Sequence, residues 1–356
     1  MIQKTAQYIQ KLEELLKLEL YLVGGAVRDL IIGSPTKDFD FATPSTPDEI
    51  EQKIHAAGFR VYALGRKFGT LGFKYEGDLI EITTFRNENY TNGSRKPQVE
   101  FHSDIKLDLG RRDFTINAMA ISSKGDLIDL FVGEDDLKNG IIKCVGDPDL
   151  RFGEDALRML RAVRFAGQYG FSLSDITSNS IKSNFWRLLH ISKERWVMEM
   201  DKILTLTDPS IELDLFKNLG LAQVVLPEIL LLDYDYHKLA NQDNYWLGTK
   251  RDIVNLNPSM LDLRWAALLA QCAKPFLLSN YLQQNHHAGI LGYPNLEIEV
   301  KDFGSKIEII ELLESQYAKS FAVESALKIG IYLKFSNKRL AQIKDYILST
   351  KSLMAE

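Results

Sequence analysis

The sequence predicts an α/β domain at the N-terminus followed by a long all-α region. Short apolar runs that alternate with polar residues recur within the first 140 residues, as in half-buried strands. From Glu154 onward, helical periodicity continues with Gly and Pro only as breaks. The 356-residue chain is too long for one small core, so two or three domains are expected.

Composition and charge exclude several classes of protein. Hydrophobic residues make up 45% and charged residues 26% of the chain, which is typical of a soluble globular protein. No apolar run approaches the ~20 residues of a membrane span, and the two cysteines, Cys144 and Cys272, cannot form a disulfide framework. A cytoplasmic protein with no membrane association is therefore expected, and no feature predicts a protein partner. The net charge of −5 means that a polyanion would have to meet local basic patches.

Apolar spacing defines the elements of the first third in order. In the first helix, Ile9, Leu12, Leu15 and Leu16 follow helical spacing, and Glu76-Gly-Asp78 predicts a hairpin turn. The predicted elements are a helix over 4–17, a strand over 20–23, a short helix over 28–32, a strand over 38–42, a helix over 47–57, strands over 59–63, 70–75 and 79–84, a loop over 86–97, and strands over 118–122 and 127–130.

A Gly-Gly turn beside a basic residue predicts a phosphate site in the stretch Leu22-Val-Gly-Gly-Ala-Val-Arg-Asp29. Gly24 and Gly25 let backbone N–H groups approach phosphate oxygens without interference from a Cβ. Arg28 either adds positive charge there or pairs with Asp29. An ordinary turn is the simpler interpretation of the glycines alone.

The motif Asp38-Phe-Asp40 predicts a metal site. On a strand, Asp38 and Asp40 lie on one face, and their charges repel unless cations sit between them. That is the arrangement of a two-metal nucleotidyl-transfer site, whereas the motif by itself also fits a solvated acidic face. Glu81 lies opposite Ile80 and Ile82. It is either a third carboxylate that orients an attacking hydroxyl or a surface residue of an edge strand.

The stretch Gly110-Arg-Arg-Asp-Phe-Thr-Ile-Asn117 combines two guanidiniums, a carboxylate and an amide. Arg111 and Arg112 can clamp triphosphate oxygens in a bidentate manner. Asp113 can accept a hydrogen bond from a ribose hydroxyl, and Asn117 belongs to the same candidate nucleotide site. Surface ion pairs also explain many Arg-Arg-Asp strings.

A helical pattern in Arg151-Phe-Gly-Glu-Asp-Ala-Leu-Arg-Met-Leu-Arg161 predicts a reader of bases. At a spacing of three, Asp155, Arg158 and Arg161 share one helix face. A carboxylate accepts from an exocyclic amino group, and a guanidinium donates to a ring nitrogen or carbonyl. Cytosine and adenine offer an amino group beside an acceptor nitrogen, whereas uracil and guanine offer a carbonyl there. The alternative is an intrahelical pair between Asp155 and Arg158.

A fourth cluster, Glu194-Arg195-x-x-x-Glu199, lies at the start of a helix that Ser192 is predicted to cap. Glu199 lies one helical turn from Arg195, which favours an internal structural brace over a substrate contact.

Together these motifs resemble the family of class II tRNA nucleotidyltransferases and bacterial poly(A) polymerases. The resemblance covers residues 20 to 205 and lies in motifs that keep the family's order: Gly24-Gly-Ala-Val-Arg-Asp29 with Asp38-x-Asp40, Arg111-Arg-Asp113, Glu154-Asp-Ala-Leu-Arg158 and Glu194-Arg-Trp-Val-Met-Glu199.

The resemblance implies an α/β head with a polymerase-β-like nucleotidyltransferase sheet, followed by an all-α neck, body and tail. The head would span 1–140, the neck with the base-recognition helices 141–205, and the tRNA-binding body and tail 206–356. The implied roles are two Mg²⁺ ions on Asp38 and Asp40, the triphosphate on Gly24, Gly25 and Arg28, the ribose on Asp113, and the base on Asp155 and Arg158.

The implied reaction is the attack of a tRNA 3′-hydroxyl on the α-phosphorus of CTP or ATP, which releases pyrophosphate. The full-length loop from Arg86 to Pro97 favours CCA addition over CC addition, because CC-adding relatives tend to have it shortened. Partial CCA addition and a poly(A) polymerase remain alternatives within the family. A non-catalytic RNA-binding protein and a nucleotidyltransferase acting on a small molecule are the alternatives outside it.

Overall fold

Two compact units make up the fold. The computed structural model describes residues 2–35, 39–89, 98–233, 245–270 and 316–349. The first unit comprises Met1–Arg158 and Tyr169–Asn184, and the second comprises Met159–Gln168 and Phe185–Glu356. The division therefore falls within one helix, Leu157–Tyr169. The domain boundaries predicted near residues 140 and 205 stay predictions.

The first unit begins with alternating helices and strands and ends with short helices. Its elements are α1 (Ile2–Leu16), β1 (Tyr21–Val23), α2 (Gly25–Ile31), β2 (Phe39–Thr43), α3 (Pro47–Ala56), β3 (Tyr62–Gly65), β4 (Thr70–Tyr75), β5 (Asp78–Thr84), β6 (Arg86–Asn89), β7 (Gln98–Phe101), α4 (Ile105–Gly110), β8 (Met119–Ile121), β9 (Leu127–Asp129), α5 (Gly133–Lys138), β10 (Ile141–Ile142), α6 (Pro148–Glu154), the start and end of α7 (Leu157–Tyr169), β11 (Ser172–Leu173) and α8 (Asp175–Asn184).

A mixed sheet organises this unit. Within the described residues it has seven strands in the order β3-β4-β5-β2-β1-β8-β9. β2 and β5 run parallel, and the other neighbours are antiparallel. The predicted β4–β5 hairpin turns at Glu76 and Gly77, whose φ angles of 50° and 98° match the twist of the strands.

The two faces of the sheet are covered differently. On one face, Tyr8 of α1 lies 5.6 Å from Phe39 of β2, measured between ring centroids. On the other face, Val23, Ala42 and Ala120 form an apolar cluster with part of α4. Asp40 belongs to this second face and is exposed. The sheet therefore carries a buried apolar side and a side that is partly open to solvent.

The predicted fold class, an α/β head followed by helices, is confirmed, with local differences. The predicted loop over 86–97 begins as β6, which pairs antiparallel with β7 from Arg86 opposite Phe101. β6 is polar and lies outside the main sheet, so it lacks the alternation that reveals a half-buried strand. The third predicted strand, over 59–63, lies instead at Tyr62–Gly65, and α2 begins at Gly25, three residues earlier than predicted.

The described part of the second unit is helical. Besides the middle of α7 it contains 3₁₀ turns at Phe185–His190 and Pro227–Asp233, and the helices α9 (Lys193–Leu204), α10 (Ser210–Asn218), α11 (Ala222–Val225), α12 (Tyr245–Asn255), α13 (261–270), α14 (Gln316–Tyr332) and α15 (Asn337–Ser349). Across the described residues of the whole chain, the search for a helix with the length and apolarity to cross a bilayer finds none.

A buried arginine joins the helices of the second unit. Arg264 of α13 is fully buried. It donates to the carbonyl of Leu204 at 2.7 Å, at the end of α9, and to that of Leu206. Its Nε and Nη2 donate to the carbonyl of Leu256 at 3.0 and 2.6 Å. One guanidinium therefore acts as the donor to the carbonyl groups at the C-terminal ends of two helices, α9 and α12. Without it these carbonyl groups would lack a hydrogen-bond donor.

Replacement of this arginine is expected to destabilise the second unit. Arg264→Met leaves buried carbonyls without a donor, which should lower the free energy of unfolding by about 2–4 kcal/mol. Tryptophan fluorescence during urea denaturation reports on this unit, because it contains all four tryptophans of the chain: Trp186, Trp196, Trp246 and Trp265.

The matched control is Lys328→Met, in which the cation lost is exposed and pairs with Glu324 at the surface. Its effect should stay below about 0.5 kcal/mol. Equal losses in both variants would contradict the capping role of Arg264.

Candidate active site

Two carboxylates lie side by side on the open face of the sheet. The parallel register of β2 and β5 pairs Asp40 with Glu81. Adjacent strands are about 4.8 Å apart, so the two side chains leave the same face as neighbours. Asp40 is exposed and Glu81 half-buried, whereas Ile80 and Ile82 are fully buried on the opposite face. Asp38 lies outside the described residues.

The chemistry of this pair suits a divalent cation. Carboxylate oxygens are hard ligands of the kind that Mg²⁺ prefers, and the open face leaves room for a further ligand from solution. Among the described residues, no group of three or more His, Cys, Asp or Glu side chains is placed to hold a metal ion. Of the two predicted metal ligands, Asp38 and Asp40, the structure describes Asp40, and the predicted orienting residue Glu81 lies beside it.

The glycine turn begins at the level of Asp40. β1 pairs Leu22 with Phe41 and ends one residue later, at Val23, which places the turn beside the exposed carboxylate. Gly24 follows with a φ of +69°, and its N–H donates to the carbonyl of Met119 at 3.2 Å. The register of β1 and β2 thus brings the predicted phosphate turn and part of the predicted metal site to one edge of the sheet.

The two glycines make room for arginine side chains of this chain. A Cβ on Gly24 would lie 2.6 Å from Nη1 of Arg112, a distance that real Cβ atoms do not show. A Cβ on Gly25 would lie 3.3 Å from Nη2 of Arg28. The absence of side chains therefore lets two guanidiniums pack against the turn.

Arg28 is held in a buried polar network. Its Nε and Nη2 donate to Asp29 Oδ1 at 2.9 and 2.8 Å, and its Nη1 donates to Asn117 Oδ1. Asn117 Nδ2 in turn donates to Asp113 Oδ1 at 3.1 Å. The guanidinium also lies 4.7 Å from the ring centroid of Tyr169. The pairing of Arg28 with Asp29 is confirmed, and contacts of this network with a nucleotide stay a prediction.

Sequence reasoning missed the carboxylate that holds Arg111 and Arg112. Asp108 of α4 accepts from Arg111 Nη2 at 2.7 Å through Oδ1, and from Arg112 Nη2 at 3.0 Å through Oδ2. Burial opposes ionisation of Asp108, but the charges of Arg112 and Arg111 outweigh it and hold its pKa below the usual value. The signal was present, because Asp108 stands three and four residues before the arginines.

The predicted helix face of Asp155, Arg158 and Arg161 is wrong in one respect. The helix is interrupted between α6 and α7, where Asp155 has the extended angles φ −145° and ψ 102°. Its carboxylate accepts from the N–H of Leu157 at 3.1 Å, a local bond that competes with a continuous helix. The N–H of Arg158 donates to the carbonyl of Asp155 at 3.1 Å, so these two residues remain adjacent at the start of α7.

Arg158 is anchored by Glu154 and by a backbone carbonyl, whereas the predicted partner was Asp155. Arg158 is buried, and its Nη1 pairs with Glu154 Oε2 at 2.6 Å. Its Nη2 donates to the backbone carbonyl of Arg111 at 2.8 Å. The predicted base reader is therefore attached directly to the Arg-Arg-Asp motif.

Arg161 lies in the second unit, where it neighbours a buried glutamate. Glu199 of α9 accepts from Arg164 Nε at 2.7 Å, and Arg161 Nη1 lies 3.9 Å from its other oxygen. Glu199 connects α9 to α7 through Arg164, a contact that the spacing of Arg195 and Glu199 did not predict. The predicted brace between Glu199 and Arg195 stays a prediction. Ser192 occupies the cap position of α9 but makes no capping hydrogen bond with its side chain.

Two family models match the chain. The model of the poly(A) polymerase head domain matches residues 20–143, and the model described as a probable RNA and SrmB-binding site of polymerase A matches residues 170–232. A CCA-adding enzyme of Geobacillus thermodenitrificans is 44% identical over 264 residues, which is 73% of this chain and 61% of the relative.

Solved structures agree with these matches. The CCA-adding enzyme of Bacillus stearothermophilus in complex with CTP has a TM-score of 0.58 and 28% identity, and the alignment covers 98% of this chain and 83% of that one. A tRNA nucleotidyltransferase complexed with a primer tRNA and an incoming ATP analog has a TM-score of 0.54 and 25% identity, over 92% of this chain and 97% of that one.

The chain belongs to the family of class II tRNA nucleotidyltransferases and bacterial poly(A) polymerases, as the motifs predicted. Nucleotidyltransferases of this kind are generally metal-dependent. The chain spans 61% of the length of the Geobacillus relative that it matches.

The contact between Gly24 and Arg112 can be tested by adding one methyl group. Gly24→Ala and Gly33→Ala introduce a side chain at nearly equal φ values of +69° and +74°, but only the first would meet another atom within 4 Å. Gly24→Ala should lose more stability than Gly33→Ala, because the ψ of −131° places Gly24 outside the left-handed helical region that other residues can adopt. Crystal structures should show Arg112 displaced in Gly24→Ala alone. An unmoved guanidinium there would contradict the close approach.

Proposed function

We propose that this protein adds CCA to the 3′ ends of tRNA from CTP and ATP, without a nucleic-acid template. The observation that carries the proposal is the pair of Asp40 and Glu81 at the edge of the sheet where the glycine turn begins. The names of the relatives support the same activity. The reaction is two-metal nucleotidyl transfer, in which the terminal hydroxyl of the tRNA attacks the α-phosphorus and pyrophosphate leaves.

The carboxylates of Asp38 and Asp40 would hold two Mg²⁺ ions. When bound, these ions lower the pKa of the attacking hydroxyl and stabilise the leaving oxygen. Glu81, the neighbour of Asp40 in the sheet, orients the hydroxyl that attacks. The fully buried side chains of Ile80 and Ile82 on the opposite face hold this carboxylate on the open side.

The arginines beside the glycine turn bind the triphosphate. The N–H of Gly25 and the guanidiniums of Arg28, Arg111 and Arg112 together present donors to phosphate oxygens. Gly24, whose own N–H donates to the carbonyl of Met119, shapes the turn that lets the phosphates approach. Most of these arginines are held by carboxylates of the chain itself, so their orientation is set before the nucleotide arrives.

Asp113 and Asn117 bind the ribose. The hydrogen bond from Asn117 Nδ2 to Asp113 Oδ1 orients both groups, and a carboxylate that accepts from a 2′-hydroxyl prefers ribonucleotides.

The base is read by Asp155 and Arg158 at the start of α7, with Arg161 as a further predicted contact. Asp155 accepts from the exocyclic amino group of cytosine or adenine, and Arg158 donates to the ring acceptor. The anchoring of Arg158 by Glu154 limits the positions that its guanidinium can take. The protein thereby serves as the template.

Full CCA addition is favoured over partial addition by the segment between the metal motif and the Arg-Arg-Asp motif. β6 and β7 pair from Arg86 opposite Phe101 to Asn89 opposite Gln98, whereas residues 90–97 lie outside the described residues. The preference for full CCA addition therefore rests on the length of the segment in the sequence. The region over 206–356 holds the tRNA in this proposal, and a cytoplasmic location stays a prediction.

The direct test is extension of a tRNA transcript that lacks its 3′ CCA. CTP alone, ATP alone and both nucleotides are supplied with Mg²⁺, and the products are resolved to single nucleotides. Two added cytidines with CTP and complete CCA with both nucleotides are expected. A product that stalls at CC with both nucleotides, or a long A tail, would keep the family and overturn the choice within it. Nucleotide transfer without tRNA would overturn the substrate.

Base selection can be tested by a single isosteric change. Asp155→Asn keeps an acceptor for the N–H of Leu157 but replaces one carboxylate oxygen with a donor. The variant should gain incorporation of UTP, and the preference for CTP over UTP, measured as the ratio of kcat/KM, should fall by at least about tenfold.

Asp147→Asn is the matched control, because Asp147 also caps a helix with its side chain, through the N–H of Asp149 at 2.9 Å. It should leave the preference for CTP unchanged. An unchanged preference in Asp155→Asn as well would return Asp155 to a purely structural role.

A further inference from the structure

The short helix α4 carries a buried carboxylate whose two oxygens serve two arginines. Asp108 is 1% exposed, and Leu109 beside it belongs to the apolar cluster on the open face of the sheet. Oδ1 accepts from Arg111 through both Nε, at 3.0 Å, and Nη2. Oδ2 accepts from Arg112. Asp108 and these two arginines, here called the Asp108 cluster, therefore rest on a well-packed part of the fold. Each arginine is held by a different oxygen of the carboxylate.

The three side chains differ in burial. Asp108 is 1% exposed, whereas the side chains of Arg111 and Arg112 are 16% and 19% exposed. The carboxylate is therefore enclosed by the fold, while each guanidinium keeps a part that phosphate oxygens can reach from solution.

Arg112 presents a donor that the protein leaves unused. Its Nη2 is committed to Asp108, and its Nη1 lies 3.4 Å from the carbonyl of Asn117. Its Nε is buried and has no hydrogen-bond partner within the described structure. The same guanidinium packs against Gly24, where a Cβ would lie 2.6 Å from Nη1. A buried unpaired donor beside a glycine turn points to a ligand that supplies the missing acceptor.

The other arginine connects the cluster to the base reader. The backbone carbonyl of Arg111 accepts from Arg158 Nη2 at 2.8 Å, while its side chain is held by Asp108. A shift of Arg111 would therefore move both a phosphate-binding side chain and the anchor of Arg158.

We propose that Asp108 is a positioning residue for nucleotide binding: it fixes the guanidiniums of Arg111 and Arg112 toward the polyphosphate of the incoming nucleotide. This inference rests on the proposed function. Asp108 touches no substrate atom and acts through the two arginines. Loss of its charge leaves both arginines with fewer fixed partners, so that more rotamer freedom is lost when the nucleotide binds.

The test compares Asp108→Asn with wild type in the full-length protein. The KM for CTP on a tRNA lacking CCA should rise about tenfold or more, with kcat changed less than about threefold. Inhibition by inorganic tripolyphosphate, which has no base or ribose, should weaken by the same factor. The Kd for tRNA should stay close to wild type, which separates this effect from a general loss of structure. The melting temperature should fall, because a buried charged partner of two arginines is lost, and the kinetic constants are measured well below it.

Asp136→Asn is the matched control. Asp136 lies in the same unit, and its carboxylate accepts from a hydroxyl, Thr115 Oγ1 at 2.7 Å, where Asp108 accepts from arginines. The control should leave the KM for CTP and the inhibition by tripolyphosphate unchanged. If Asp108→Asn does not fold, Asp108→Glu keeps the charge and moves the carboxylate by one methylene, and it should raise the same two constants by a smaller factor.

The outcomes separate this inference from the proposed function. Wild type that neither extends tRNA nor binds tripolyphosphate contradicts the proposed function. Active wild type with normal constants in the Asp108 variant, or with equal changes in the Asp108 and Asp136 variants, contradicts the positioning role alone.

Discussion

The parallel pairing of β2 with β5 is the constraint on which the rest of the candidate site depends. It places Asp40 beside Glu81, and two neighbouring carboxylates on an open face are unfavourable without a compensating cation. The antiparallel register of β1 with β2 then starts the glycine turn at the same level, because β1 ends one residue beyond the pair of Leu22 and Phe41. Two strand registers thus bring the acidic and the phosphate-binding parts to one edge of the sheet.

The arginines of the candidate site are held by acidic groups of the same unit. Arg28 pairs with Asp29, and Arg158 pairs with Glu154. Such pairs are buried or half-buried, so they fix the geometry of the guanidiniums more than they add stability. Fixed donors lose less side-chain freedom when a polyphosphate binds, which favours both affinity and transition-state stabilisation.

Much of this arrangement could be predicted from the sequence, and the exceptions have physical causes. Strand alternation identified the faces of Asp40 and Glu81, because Phe41, Ile80 and Ile82 are buried on the opposite face. The break at Asp155 was missed because the spacing of Asp155, Arg158 and Arg161 fits one continuous helix. The spacing does not reveal the hydrogen bond from the N–H of Leu157 to the Asp155 carboxylate, which favours the break. Asp108 was missed because α4 has only six residues, too few to show a periodic pattern.

The proposal that Asp38 and Asp40 bind the catalytic cations is tested most directly by titration of Mn²⁺, followed by electron paramagnetic resonance in the presence of CTP. Mn²⁺ replaces Mg²⁺ at sites built from oxygen ligands. Asp40→Asn should weaken binding at least about tenfold, because a charged ligand is lost. Asp78→Asn, which changes an exposed carboxylate of β5 on the face opposite Glu81, should bind Mn²⁺ as wild type does. Equal binding by wild type and Asp40→Asn would contradict the account.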